Sequence, residues 1–76
     1  MPKPRARIAM QQRNVPLLFG AADRARLESL CEIDMADAVT DWSTETDASL
    51  ADVEVVLTGW GTPPITRGVL DRMPRL

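Results

Sequence analysis

Histidine is absent from this 76-residue chain, and cysteine occurs once, at Cys31. A single cysteine excludes an internal disulfide framework, and without histidine there is no plausible zinc or haem ligand set. A Cys31 thiolate would also lack the base that activates a nucleophile, so this thiol reads as a small buried hydrophobe at the end of a helix. No apolar stretch approaches the roughly 20 residues needed to cross a bilayer. The segment Met1-Pro-Lys-Pro-Arg-Ala-Arg7 is basic, but the apolar run that follows it, Ile8-Ala9-Met10, is too short for an export signal. These absences lead to an expected cytoplasmic location with no membrane partner. Internal repeats and low-complexity segments are missing as well.

Charge of either sign is modest in total and uneven in distribution. The formal net charge is −2 and the sequence pI about 4.9, so no global field draws nucleic acid or an anionic membrane to the chain. Residues 1–13 hold four basic and no acidic side chains, whereas Glu28 to Glu54 contains nine acidic and no basic ones. Arg67, Arg72 and Arg75 then return positive charge to the tail. An acidic middle of this size repels phosphates, and it reads as a solvated face. Nucleic acid is therefore not an expected partner. None of the carboxylates falls in an apolar run that would raise its pKa toward general-acid work.

What is present is a globular balance, 45% hydrophobic against 26% charged, in a length that makes at most one small domain. Arg5-Ala-Arg-Ile-Ala-Met10 alternates charged and apolar residues and predicts a first strand, with a turn over Gln11 to Asn14. Val15-Pro16-Leu17-Leu18-Phe19-Gly20 is apolar but interrupted by proline and glycine, which suits a loop or a first helical turn on the core. A helix is expected over about Ala21 to Cys31, with Leu27, Leu30 and Cys31 on one face and Asp23 at the positive end of its dipole. Glu32-Ile-Asp-Met35 alternates at period two and predicts a short second strand with Ile33 and Met35 inward.

Between Asp41 and Asp47 the chain is rich in capping residues. A short helix from near Ser43 or Thr44 to Ala51 is expected there, with Trp42 packed under the sheet. Val53-Glu54-Val55-Val56-Leu57-Thr58 is the clearest strand, its β-branched run reading as central and buried on both faces. After Pro63-Pro64, Thr66 can cap a last helix with Ile65 and Leu70 as a hydrophobic staple; Val69, Leu70 and Met73 form its inward stripe, and Pro74 its end. The order β-α-β-α-β-α predicts an α/β fold with a three-stranded parallel sheet and strand order 2-1-3. Pro74-Arg75-Leu76 looks like a lead-in to another strand, so the 76 residues are expected to be the first part of a larger domain.

In an open parallel sheet, ligands bind beyond the carboxyl ends of the strands. The segment there is Thr58-Gly59-Trp60-Gly61-Thr62. Its glycines allow positive φ and close approach to backbone N–H groups, and Trp60 offers a flat apolar wall. The plainer alternative is that the glycines only make the turn while Trp60 covers the core, and spacing alone favours it. Gly59-Trp-Gly61-Thr-Pro-Pro64 does not make a dinucleotide fingerprint: Pro64 replaces the third glycine, and Pro63 and Pro64 lack the N–H groups a phosphate needs. A receiver domain of the response-regulator kind would share the element order, but its acidic residues are replaced by Gln11-Gln12-Arg13 and Thr58-Gly59.

Three segments together resemble the start of bacterial D-isomer-specific 2-hydroxyacid dehydrogenases: Leu17-Leu-Phe-Gly20 before a helix ending Ala25-Arg-Leu-Glu-Ser-Leu30, Leu50 through Pro64, and Val69-Leu70 with Met73-Pro-Arg-Leu76. The resemblance runs from about Arg7 to Leu76 and is most specific in Leu57-Thr-Gly-Trp-Gly-Thr-Pro-Pro64. It implies a flavodoxin-like (Rossmann-like) substrate domain, of which residues 1–76 would be the first part, split in sequence by an inserted NAD-binding domain. It also implies that Thr58, Gly59, Trp60, Gly61 and Thr62 face the cleft where a 2-hydroxy or 2-keto acid sits. The family's catalytic arginine, glutamate and histidine and its glycine-rich cofactor loop lie further along, so no catalytic or cofactor residue is carried over. NAD(P) is implied for the parent enzyme and is not bound by these residues.

Three functional classes follow: part of a dehydrogenase, inactive alone, whose partner is the missing remainder of the domain; an interaction module that completes its sheet by self-association or by pairing with another chain; and a small-molecule binding domain using the Gly59–Thr62 turn.

Overall fold

Ala6–Ala9 forms the first strand, β1, and three of its four residues are buried. The computed structural model describes residues 3–76; Met1 and Pro2, the start of the basic arm, lie outside the described residues. A 3-10 turn at Gln12–Asn14 leads into the one-turn helix α1, Val15–Leu18, and then α2 spans Ala21–Leu30. A second 3-10 turn, Trp42–Thr44, precedes α3 at Asp47–Ala51. Strand β2, Val55–Thr58, and helix α4, Arg67–Asp71, complete the order. The result is a small α/β fold. No helix among the described residues is long and apolar enough to cross a membrane.

β1 and β2 pair in parallel, with Ala6 opposite Val55 and Ala9 opposite Thr58. On this side the Arg5 carbonyl accepts from the N–H groups of Glu54 (2.9 Å) and Val55 (3.2 Å). The neighbouring groups of β1 serve the opposite edge, because successive backbone groups of a strand point to alternate sides. There Ala6 N–H donates to the Glu32 carbonyl (2.9 Å), Glu32 N–H to the Pro4 carbonyl (2.9 Å) and Val39 N–H to the Ile8 carbonyl (2.7 Å).

The segment on that second edge is not the expected strand. Among the described residues the sheet has two strands, and the backbone of residues 32–39 pairs along β1 only at two isolated bridges, Arg5 with Glu32 and Ala9 with Val39. The cause lies at Asp34, whose carboxylate accepts from Ala36 N–H (2.9 Å) and whose carbonyl accepts from Asp37 N–H (3.3 Å). An aspartate bonded to the backbone two residues on turns the chain, so it leaves the ladder where period-two alternation alone would continue it. Gln12 holds the resulting bulge: its amide donates to the Met35 carbonyl (2.9 Å) and accepts from Ala38 N–H (2.8 Å). One side chain thereby satisfies two groups that the ladder leaves free.

A second correction concerns which strand is central. β2 is only half-buried, with Thr58 exposed, and its far side carries no strand among the described residues. β1 is the buried one. It separates two apolar clusters: Ala9 packs with Val39, Trp42, Leu50, Val53, Val69 and Met73, while Ile8 and Met10 pack with Val15 and Met35. Val56 joins the first cluster and Leu57 the second, as strand alternation requires. Trp42 lies under the sheet as expected, its indole Nε1 3.4 Å from the Pro63 carbonyl.

The helices match the sequence better in extent than in the faces they bury. α2 occupies the expected span, but none of its residues is buried. Leu27 is half-buried, Leu30 is 58% exposed and Cys31 is half-exposed at the cap, so the anticipated apolar face is not covered. In place of a single helix over residues 43–51 there are two elements. Asp41 accepts from Ser43 N–H and caps the 3-10 turn, and Thr46 accepts from Ser49 N–H and caps α3. Thr66 caps α4 through Val69 N–H, as its position predicts. Val69 and Met73 face inward, but Leu70 and Ile65 stay exposed.

Two arginines tie the loops to this frame. Arg72 donates to Asp47 Oδ1 (2.7 Å), the Trp42 carbonyl (2.9 Å) and the Glu45 carbonyl (2.6 Å), joining α4 to the stretch that carries α3. Arg7, largely buried on β1, places Nη2 2.6 Å from Glu45 Oε1 and 3.6 Å from Asp37 Oδ2. No hydrogen of that nitrogen is aligned on an acceptor, so the contact is an ion pair rather than a directed hydrogen bond.

Replacing Arg72 with Ala removes three charge-assisted bonds at once and takes the side-chain donor from the Glu45 carbonyl, while the Trp42 carbonyl keeps its bond from Glu45 N–H. The urea midpoint should fall by the equivalent of about 1–3 kcal/mol with an unchanged denaturant slope. Asp41 gives a pH-dependent counterpart. Hydrogen bonds from the Ser43 hydroxyl and N–H hold its carboxyl below the usual aspartate range. A depressed folded-state pKa adds stability above the unfolded value and loses it as pH falls through the folded one. An Asp41→Asn protein should therefore lose less melting temperature than the wild type when acidified below the ordinary aspartate pKa, measured by thermal scans across that range.

Candidate functional site

The five residues Thr58, Gly59, Trp60, Gly61 and Thr62 stand at the carboxyl end of β2, beside the carboxyl end of β1 and the residues that follow it. The Gly59 carbonyl accepts from Thr62 N–H (3.2 Å), and Gly61 has φ of +82° while no non-glycine residue among the described residues has a positive φ. A four-residue turn whose third residue alone is left-handed is of type II, which calls for glycine there. Trp60 occupies the second position, and its carbonyl accepts from Gln11 N–H (3.3 Å) and Asn14 Nδ2 (3.0 Å). The turn is thus anchored onto the segment that leaves β1.

Thr62 closes it from the other side. Its Oγ1 accepts from Gly59 N–H (2.9 Å) and lies 2.6 Å from the Ala9 carbonyl and 2.7 Å from the Gly59 carbonyl. One hydroxyl hydrogen serves one carbonyl at a time, and the shorter contact is with Ala9. This bond ties the end of β1 to the turn that follows β2, joining residues 53 positions apart in sequence. The Thr62 hydroxyl is therefore engaged inside the protein, half-buried, and holds the turn in place.

Gly61 is required by its positive φ and by the close approach of Gln11, whereas Gly59 lies against the flexible ends of Leu18 and Met10. A Cβ at Gly59 would meet Leu18 Cδ1 and, at 2.7 Å, Met10 Cε; at Gly61 it would collide with the Gln11 side chain. The space beside them is filled by this chain's own side chains. Trp60 behaves differently from the core cover expected by the plainer reading of the sequence: it is 64% exposed. Leu17, 71% exposed, and Leu18, which rests on Gly59, bring further apolar surface to the same end of the sheet. The ion pairs among the described residues all lie elsewhere.

Among the described residues, open grooves at three other places on the surface are lined by residues outside 58–62. One, of about 530 Å³, runs between α1 and the 35–36 turn beside Val15, Phe19 and Met35. Another, of about 480 Å³, lies on the second edge of β1 beside Arg5, Arg7 and Asp37. No group of three or more metal-ligating side chains occurs among the described residues. Cys31 has no disulfide partner.

Comparison with protein-family models, curated proteins and solved structures finds no match. The chemistry of the turn therefore rests on its own geometry. It offers an exposed indole on a turn whose backbone is already hydrogen-bonded. Sequence reasoning located the turn from its glycines and from its position beyond the carboxyl end of a parallel strand. It named Thr62 as a cleft residue but missed its bond to the Ala9 carbonyl, and it missed Asn14 as an anchor of the turn, because these two bonds span long sequence separations that no local pattern encodes.

The two helix- and turn-borne glycines respond oppositely to a methyl group. Gly61→Ala meets a left-handed φ and the Gln11 side chain, and should destabilise the protein by about 1–3 kcal/mol. Gly68→Ala, in α4 with only ordinary contact to Thr66 Oγ1 at 3.7 Å, should stabilise it by about 0.4–1 kcal/mol through helix propensity. Urea titrations of both variants beside the wild type check the sign.

Proposed function

We propose that this chain is part of the flavodoxin-like substrate domain of an NAD(P)-dependent 2-hydroxyacid dehydrogenase, with strand order 2-1-3. Thr58, Gly59, Trp60, Gly61 and Thr62 contribute one wall of the cleft for a 2-hydroxy or 2-keto acid. The observation that carries the reading is the placement of Leu57-Thr-Gly-Trp-Gly-Thr-Pro-Pro64, the segment of strongest resemblance. It spans the end of β2 and the turn beyond the carboxyl ends of the two parallel strands, and Trp60 is exposed there. The neighbours of β1 support the strand order: β2 lies on one edge and residues 32–39 on the other.

In this reading the chain's own part is positional. The type II turn and the Thr62 hydroxyl fix Trp60, and the indole supplies an apolar surface against which the acid's carbon skeleton rests. Hydride chemistry belongs to NAD(P), and these residues do not fit that cofactor. Leu18, Met10 and Gln11 fill the space beside Gly59 and Gly61, and Pro63 and Pro64 have no N–H for a phosphate. No step is assigned through it, and the chain alone is expected to be inactive.

Replacing Trp42 to isolate Trp60 fluorescence would excavate the core, so the indole ¹⁵N–¹H resonances are the better probe. Titrated with 2-keto acids such as pyruvate, the Trp60 signal should move in a saturable way while that of Trp42 stays fixed. Motionless Trp60 signals with every acid tried would remove the cleft assignment.

A second reading has its own support. The outer edge of β2 is unpaired among the described residues, and Ile65, Leu70 and Leu76 remain exposed in the segment that follows it. An open edge with apolar surface favours pairing with another strand, here that of a second copy. Sedimentation velocity should then show a coefficient rising with protein concentration. A constant monomer coefficient with a concentration-independent melting temperature would dismiss self-association.

A further inference from the structure

We draw no further inference here: the strongest candidate, the exposed apolar rim of Leu17, Leu18 and Trp60 at the carboxyl ends of the two strands, belongs to the site already described, and nothing in the structure shows what covers it.

Discussion

Both edges of β1 are engaged, and the rest of the fold depends on this. Four residues carry β2 on one side and the 32–39 segment on the other, and their side chains divide the core into two clusters. Ala6, Ile8, Ala9 and Met10 are almost wholly removed from water, so their backbone groups need partners inside the protein. Those partners come from residues more than twenty positions away. The short helices do not stand independently, since isolated helices shorter than about 12–15 residues are marginal in water. They are held by what they pack against β1 and by side-chain clamps at their ends.

The clamps share a physical logic. Gln12, Thr62 and Arg72 each bond to two backbone groups from distant or neighbouring segments. Gln12 replaces a missing piece of ladder, Thr62 ties the end of β1 to the turn that follows β2, and Arg72 fastens α4 to the Trp42–Glu45 stretch. A sheet of two strands leaves many peptide groups without a strand neighbour, and polar side chains of middling length take over that role. The apolar residues at the carboxyl end of the sheet are then free to face outward, which is where Trp60 stands.

The parts legible in the sequence were those governed by local rules. Alternation located β1, the β-branched run located β2, Thr66 marked the start of α4, and the glycine pair marked the turn. Where a distant residue decides the outcome, local reading failed. Period-two alternation in Glu32-Ile-Asp-Met35 was outweighed by the Asp34 turn and the grip of Gln12. The β-branched run of β2 suggested burial on both faces, yet with no strand on its far side only half of it is covered. α2 carries its leucines at helical spacing, but spacing does not supply an opposing surface, and Leu30 and Cys31 meet water. The position of the turn was readable from its glycines, whereas the exposure of Trp60 was not.

The molecule is flat, with principal extents of 33 × 32 × 15 Å. A body so thin has little depth in which to shield its amides from deuterium. Slow exchange should concentrate along β1 and the few N–H groups bonded to it, such as those of Val39 and Glu54, because only these are released by rupture of the whole core. The amides of α2, with no buried side chain to hold them, would equilibrate with solvent through local opening, on a clock separate from that of the strand pair.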